Sequence, residues 1–177
     1  MSTQSAAPSL RVVIYDASPI TWRRYRGLAS FWTYAAQTYS FLGWADAVKG
    51  ATCWQEAIDW AVGIQSELRI GAIQFWGHGG SGQALIGNDV LDLRVFKRGH
   101  VLEDSLRRLR GRFLPNGDTL FWFRTCSTIA GERGRMFAKY WAKCLHCRTA
   151  GHTHIFWCLQ SGLHVLAAGG EPGWSVD

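Results

Sequence analysis

Two apolar runs, each ending at a chemically reactive side chain, decide the predicted fold of this chain. The first is Ile70-Gly71-Ala72-Ile73-Gln74-Phe75-Trp76-Gly77-His78-Gly79-Gly80, and the second is Thr119-Leu120-Phe121-Trp122-Phe123-Arg124-Thr125-Cys126. Short, unbroken apolar runs rich in β-branched and aromatic residues are typical of strands buried on both faces of a parallel sheet. If the runs are neighbouring parallel strands, His78 and Cys126 emerge together at the carboxyl edge, where open α/β sheets bind ligands.

Around these runs the chain alternates predicted strands with amphipathic helices. Strands are predicted over 10–15, 45–51, 70–76, 119–125 and 148–156, and helices over 27–42, 53–67, 102–113 and 131–144. This alternation predicts right-handed βαβ units, and hence a three-layer α/β/α fold with a central, mostly parallel sheet. A hairpin is expected over 83–92, and a last short strand or a loop beyond residue 160. We expect a flexible tail over 1–9 and a single domain over 10–174.

Composition and charge narrow the range of functions. The formal net charge of +6 is moderate and the arginines are scattered, whereas nucleic-acid binding needs a clustered basic face. No run is long enough to span a membrane, and residues 1–8 lack the apolar core of a signal peptide. Five cysteines, an odd number, fit reduced thiols in a cytoplasm. We therefore expect a cytoplasmic protein that binds neither nucleic acid nor membranes.

A cysteine beside a histidine is the pair needed for thiol catalysis. Cysteine attacks as the thiolate, so either its pKa must be lowered or a base must take its proton. The helix that follows Cys126 could favour the thiolate, and His78 could act as the base. The amide of Gly79, in a glycine-rich segment, could bind a developing oxyanion. The structural alternative is that Cys126 is a buried strand cysteine and His78 a loop histidine.

A second group of potential ligands lies near the carboxyl terminus. Five potential ligands fall within eleven residues, namely Cys144, His146, Cys147, His152 and His154, and zinc takes four such ligands in a tetrahedron. Only the C-x-x-C half has a usual zinc spacing, and both histidines are expected on one face of a strand. One alternative to a zinc site is that the thiols are simply buried and the histidines lie on the sheet face. Another is that His152 or His154 lines a substrate cleft. We expect no metal and no other cofactor.

The order of these motifs resembles the caspase-like cysteine peptidase clan, and in more detail the CHAT domains and related bacterial sequences. The resemblance covers roughly 68–157 and rests on two blocks, Phe75-Trp76-Gly77-His78-Gly79-Gly80-Ser81-Gly82 and Phe121-Trp122-Phe123-Arg124-Thr125-Cys126-Ser127-Thr128-Ile129-Ala130-Gly131. It implies a caspase-like fold and a cysteine endopeptidase acting on a protein or peptide substrate. It also implies that His78 is the base, Cys126 the nucleophile, and the amides of Gly79 and Cys126 the oxyanion hole.

Two positions depart from the family pattern. Many relatives have Ala or Gly just before the cysteine, where this chain has Thr125. Two residues before the cysteine, caspases carry Gln and metacaspases Asp, and that side chain helps to line the pocket for the residue before the cut. Arg124 at this position predicts an acidic or polar residue there. Asp16, where caspases place a pocket arginine, could instead pair with Arg124, and Arg124 could also be only structural.

The chain has no aspartate-rich processing linker. We therefore expect regulation by a protein partner or an allosteric signal rather than by cleavage into subunits. The third hypothesis is a caspase-like fold without activity, which serves as a scaffold or an interaction subunit. The ten tryptophans and the positive charge suit a protein interface.

Overall fold

The computed structural model describes residues 8–154 and 162–175. The strands are β1 (Ser9–Asp16), β2 (Ala47–Ala51), β3 (Arg69–Trp76), β4 (His78–Gly80), β5 (Gln83–Ile86), β6 (Asp89–Leu91), β7 (Leu120–Arg124), β8 (Arg148–His152) and β9 (Leu163–Leu166). The helices are α1 (Pro19–Arg24), α2 (Arg26–Phe41), α3 (Trp54–Gly63), α4 (Glu103–Gly111) and α5 (Gly131–Leu145). Six strands form the main sheet in the order β2-β1-β3-β7-β8-β9, and β4, β5 and β6 form a small second sheet.

The main sheet is parallel except for β9, which pairs antiparallel with β8 at one edge. Helices cover both faces, so the predicted three-layer α/β/α fold with a mostly parallel central sheet is confirmed. The two long apolar runs are the inner strands β3 and β7, which are neighbours as predicted. Inner strands of such a sheet are buried on both faces, which explains why their sequences are apolar without alternation.

Strand alternation sends successive side chains into two different cores. Val12 and Ile14 of β1 belong to the larger core, together with the buried faces of α3, α4 and α5. Val13, between them, belongs to the smaller core, where α2 contributes Trp32 and Ala36. Aromatic rings dominate the larger core, and the Trp141 ring lies 5.0 Å from that of Phe121 and 5.2 Å from that of Phe123.

Several local predictions need correction. The glycine-rich composition of 79–82 predicts a loop after His78, but His78–Gly80 forms the strand β4 and pairs with β5. Helix α1 was not expected, although Ser18 caps it and Pro19 opens it, both common at helix starts. Helix α3 ends at Gly63, before the expected 67, and β8 ends at His152. Of the expected tail, Ser9 already belongs to β1, and residues 1–7 lie outside the described part of the chain.

Helical spacing over 102–113 predicts that Arg112 points to solvent, but the structure places its side chain inward. Its side chain is buried, and its guanidinium donates hydrogen bonds to five backbone carbonyls at the end of α3 and just after it, those of Ala61, Val62, Ile64, Gln65 and Leu68. The last carbonyls of a helix have no partner within the helix. The need to satisfy these acceptors overrides the preference of an arginine for water.

The exposed apolar side chains are concentrated on one part of the surface. Eight of the thirteen large exposed hydrophobic residues in the described chain lie within 22–44, and we call this set the α1–α2 surface: Trp22, Tyr25, Leu28, Phe31, Tyr34, Phe41, Leu42 and Trp44. Three exposed arginines, Arg23, Arg24 and Arg26, lie at its amino-terminal end. Among the helices of the described residues, none is both long enough and apolar enough to cross a bilayer.

Candidate active site

Strand register brings His78 and Cys126 to the same edge of the main sheet. Trp76, the last residue of β3, pairs with Arg124, the last residue of β7. His78 and Cys126 each follow two residues later on their strands. Because the strands are parallel and paired in register, both residues leave the sheet at its carboxyl edge and at the same level.

The segments that carry the two residues pack directly on each other. The amide of Gly82, just after β4, donates to the carbonyl of Thr128 at 2.9 Å, and the Thr128 hydroxyl donates to the carbonyl of Gln83 at 3.1 Å. A Cβ atom on Gly79 would lie only 2.8 Å from Cβ of Thr125. Residues 125–130 connect β7 to α5, and we call them the Cys126 loop. Glycine at position 79 therefore allows the close approach between β4 and this loop.

Cys126 is an exposed, free thiol. The next residue, Ser127, has a left-handed backbone conformation with φ 50°. The hydroxyls of Thr125 and Thr128 hydrogen bond to each other across the turn. Strained conformations of this kind persist where the surrounding structure fixes them, often at functional sites.

The expectation that a helix lowers the pKa of Cys126 is not met. Partial burial raises the pKa of the Cys126 thiol. Helix α5 begins only at Gly131, with Ala130 as its N-cap, and the effect of a helix terminus is confined to its first turn. The protonated thiol is therefore the form of Cys126 that its surroundings favour at neutral pH.

The imidazole of His78 is half-buried against two aromatic side chains. Its ring centroid lies 4.4 Å from that of Tyr25 and 5.1 Å from that of Trp32. Its Nε2 atom is buried and has no hydrogen-bond partner among the described residues. Burial lowers the pKa of His78, and the negative charge of Asp16 partly opposes that effect. A neutral imidazole at neutral pH can accept a proton.

Asp16 does not pair with Arg124, in contrast to one of the alternatives drawn from the sequence. Asp16 is fully buried, and its carboxylate accepts hydrogen bonds from the Ser18 amide at 2.8 Å, the Thr21 hydroxyl at 2.6 Å and the Gly87 amide at 2.9 Å. Strand alternation places its side chain on the face of the larger core, with Ile14. Arg124 lies on the opposite face of the sheet.

The Arg124 guanidinium is held among aromatic rings. It donates to the Tyr39 hydroxyl at 2.8 Å and to Gln74 Oε1 at 3.2 Å. Its central carbon also lies 4.7 Å from the ring centroid of Trp122 and 5.1 Å from that of Trp76. These contacts hold the cation against the sheet, directly before the Cys126 loop.

His152 and His154 occupy different environments, although they were expected on one strand face. His152, the last residue of β8, is buried, and its ring centroid lies 6.1 Å from that of Trp122. His154 lies beyond the strand end and is exposed. Its Nδ1 contacts the Thr153 hydroxyl at 3.0 Å, and the same hydroxyl contacts Nε2 of His164 at 3.4 Å.

The geometry does not favour the zinc alternative. Cys147 is buried, and burial raises its pKa to about 12. Burial also raises the pKa of Cys144. Residues 8–154 and 162–175 contain no group of three or more His, Cys, Asp or Glu side chains that could hold a metal ion.

Sequence reasoning missed Tyr25, Trp32 and His164. Trp32 belongs to the helix expected over 27–42 and Tyr25 lies just before it, but nothing in the spacing of these residues indicates contact with a histidine 46 or more residues away. The Gly-rich character of the stretch around His164 obscured the strand β9.

Comparison with models of known protein families found no match, and neither curated proteins nor solved structures gave one. A function is therefore inferred from the residues of the site.

Proposed function

We propose that this protein is a caspase-like cysteine endopeptidase with Cys126 as nucleophile and His78 as general base. The observation that carries the proposal is the register of β3 and β7, which puts an exposed thiol and an imidazole of lowered pKa at one sheet edge. Two contacts between the segments that bear these groups support it.

The reaction starts from a neutral thiol and a neutral imidazole, because the pKa of Cys126 is raised and that of His78 is lowered. Sγ attacks the carbonyl carbon of the scissile peptide while His78 takes the thiol proton. The amides of Gly79 and Cys126 bind the oxyanion. His78 then gives its proton to the leaving amine as the C–N bond breaks. Water, deprotonated by His78, hydrolyses the thioester and restores the thiol.

Labelling with a peptidyl electrophile or iodoacetamide tests this proposal. Because Cys126 is the one exposed cysteine among the four that the structure describes, exposure alone favours its modification. The deciding result is therefore the dependence on the base. We expect fast labelling of Cys126 that His78→Ala slows strongly and that a control substitution, Cys144→Ser, leaves unchanged. Slow labelling of Cys126 that is indifferent to His78→Ala contradicts the proposal.

Arg124 is proposed to select an acidic or polar residue before the cut. Asp16, which lies on the other face of the sheet, does not neutralise its charge. His154, which is exposed just beyond the end of β8, is proposed to line the cleft, whereas His152 is buried and is not. In a peptide library we expect cleavage after acidic residues, and a weaker acidic preference in Arg124→Gln. Cleavage strictly after Arg or Lys contradicts this specificity.

The proposed setting is a reducing cytoplasm, with control by a protein partner or an allosteric signal. The four described cysteines are free, as a thiol nucleophile requires. We expect the chain purified from cells to have unpaired thiols. A disulfide at Cys126 in the isolated protein would contradict this setting.

A second candidate function is an inactive scaffold or interaction subunit. The α1–α2 surface favours it, because an excess of large exposed apolar side chains in one region commonly marks an interaction site. The labelling experiment separates the two functions, since a scaffold needs no dependence of Cys126 reactivity on His78.

A further inference from the structure

We propose that Asp16 positions His78 and stabilises its protonated imidazole during the reaction of Cys126, an inference that rests on the proposed function. The sequence suggested a different role for Asp16, in the substrate pocket. The contacts of its carboxylate instead connect the two structural units that surround the imidazole.

The first connection runs to the hairpin that carries His78. Oδ2 of Asp16 accepts a hydrogen bond from the Gly87 amide at 2.9 Å. Gly87 follows β5 directly, and within the hairpin Leu85 of β5 pairs with His78 of β4. The register of β1 and β3, in which Tyr15 pairs with Trp76, brings the end of β1 level with the start of this hairpin. Asp16 therefore fixes the hairpin against the main sheet.

The second connection runs to the helices that hold the ring. Oδ2 also accepts from the Thr21 hydroxyl at 2.6 Å, and Oδ1 accepts from the Ser18 amide at 2.8 Å. These residues form the start of α1, whose end at Tyr25 leads directly into α2. Tyr25 and Trp32 are the two side chains packed on the imidazole. One carboxylate thus links the strand that bears His78 to the aromatic residues that clamp it.

The electrostatic role of Asp16 follows from the charged and titratable groups around the imidazole of His78. Tyr25 faces it from the α1–α2 junction, and Arg24 and Arg26, which flank that tyrosine, are exposed to solvent. The Cys126 loop packs on β4 from the other side. The negative charge of Asp16 acts to raise the pKa of His78, against the larger effect of burial. Its three donors are all neutral groups, so its negative charge is available to an imidazolium.

Direct hydrogen bonding does not supply this stabilisation. Nε2 of His78 is buried without a hydrogen-bond partner in the described structure. A proton on the ring is therefore stabilised through space by the Asp16 carboxylate, in a site from which water is partly excluded. Asp16 acts through His78 and is a positioning residue rather than a group that touches the substrate.

The test is a pH titration of the His78 imidazole by NMR in the full chain, with His78→Ala used to assign its resonances. We expect the pKa of His78 to fall in Asp16→Asn and to stay unchanged in Thr21→Val. The second variant removes a hydrogen bond to the carboxylate but leaves its charge. Alkylation of Cys126 at neutral pH is expected to slow by about tenfold in Asp16→Asn, the factor equivalent to one pKa unit. An unchanged His78 titration in folded Asp16→Asn overturns the inference.

A measurement on the unaltered chain covers the case in which Asp16→Asn does not fold. The ¹³C shift of the Asp16 carboxyl carbon should show an inflection at the pH where His78 titrates, and His78→Ala should abolish it. Absence of that inflection in the wild-type chain overturns the inference. The proposed function fails by a different result, alkylation of Cys126 that is indifferent to His78→Ala, so the two failures are distinguishable.

Discussion

At the scale of single residues, the candidate site favours neutral forms of both reacting groups. Burial lowers the pKa of His78 and raises that of Cys126, so neither an imidazolium nor a thiolate is stabilised before the substrate arrives. This arrangement suits a base that takes the proton as the thiol attacks. The lowered pKa of His78 also makes the stability of the fold depend on pH.

Protonation of His78 is predicted to cost stability. Its folded pKa is lower than its unfolded pKa, mainly because of burial. The unfolded chain therefore binds the proton first, and stability present above the unfolded value of 6.5 is lost as the pH falls below it. His164 behaves in the same way, since burial also lowers its pKa. We expect the free energy of unfolding, measured by urea denaturation, to decrease from pH 7 to pH 5.

Single variants separate the two contributions. His78→Asn and His164→Asn should each reduce the slope of unfolding free energy against pH in this window. A slope in His78→Asn identical to that of the wild-type chain would show that His78 is not buried in its neutral form.

Gly79→Ala is predicted to disturb both stability and the site. A Cβ at this position would lie 2.8 Å from Cβ of Thr125, so β4 or the Cys126 loop must move. We expect a loss of about 1–3 kcal/mol in unfolding free energy and slower labelling of Cys126. Gly27→Ala is the matched control, because a Cβ at Gly27 meets nothing within 4 Å. Within helix α2 it should stabilise the chain by up to about 1 kcal/mol.

At the scale of secondary-structure elements, the end of α3 depends on a residue from outside the helix. Arg112, just after α4, donates to the carbonyls of Ala61 and Val62 in the last turn of α3 and to three carbonyls that follow it. The guanidinium thus joins α3 to α4 and terminates the helix at Gly63. This cap lies at the opposite end of the sheet from the candidate site, because Arg112 precedes β7 and Cys126 follows it.

Arg112→Ala is predicted to lower the unfolding free energy by about 2–4 kcal/mol, since it leaves several buried carbonyls without a donor. Labelling of Cys126 in the folded fraction should not change. Arg107→Ala, at an exposed ion pair with Asp104 on the same helix, is the control and should cost less than about 1 kcal/mol. Equal costs for the two variants in urea denaturation would contradict the capping role.

At the scale of the whole molecule, the two faces of the sheet are covered differently. Three helices with a large aromatic core cover one face. Helix α2 covers part of the other with its buried residues, while its outer residues belong to the α1–α2 surface. Of two adjacent residues on α2, one can therefore be buried in the smaller core and the other exposed to solvent.

Phe31→Ala and Trp32→Ala test this two-sided helix. Phe31 is 60% exposed and Trp32 only 9%, so their contributions to folding must differ although they are adjacent. We expect Phe31→Ala to change the unfolding free energy by no more than about 0.5 kcal/mol. Trp32→Ala should cost about 3–5 kcal/mol and should also alter the His78 resonances, because its ring packs on that imidazole. A large cost for Phe31→Ala would mean that the α1–α2 surface is buried in solution, for example in a dimer.

The sequence by itself determined the layered fold, most helices and strands, and the placement of His78 and Cys126 at one edge of the sheet. These features depend on local periodicity and on unbroken apolar runs, which constrain strand burial before any partner is known. Such patterns also explain why β4 was missed, since His78–Gly80 has almost no side chains to carry a pattern.

Only the tertiary structure decided which polar groups meet. Asp16 and Arg124 lie on opposite faces of the sheet, Arg112 caps α3, and Tyr25 and Trp32 clamp His78. Each of these contacts depends on strand register or on which backbone groups another element leaves unsatisfied. Strand register and the set of unsatisfied backbone groups are determined by the packing of distant segments, so no local pattern of residues encodes these contacts.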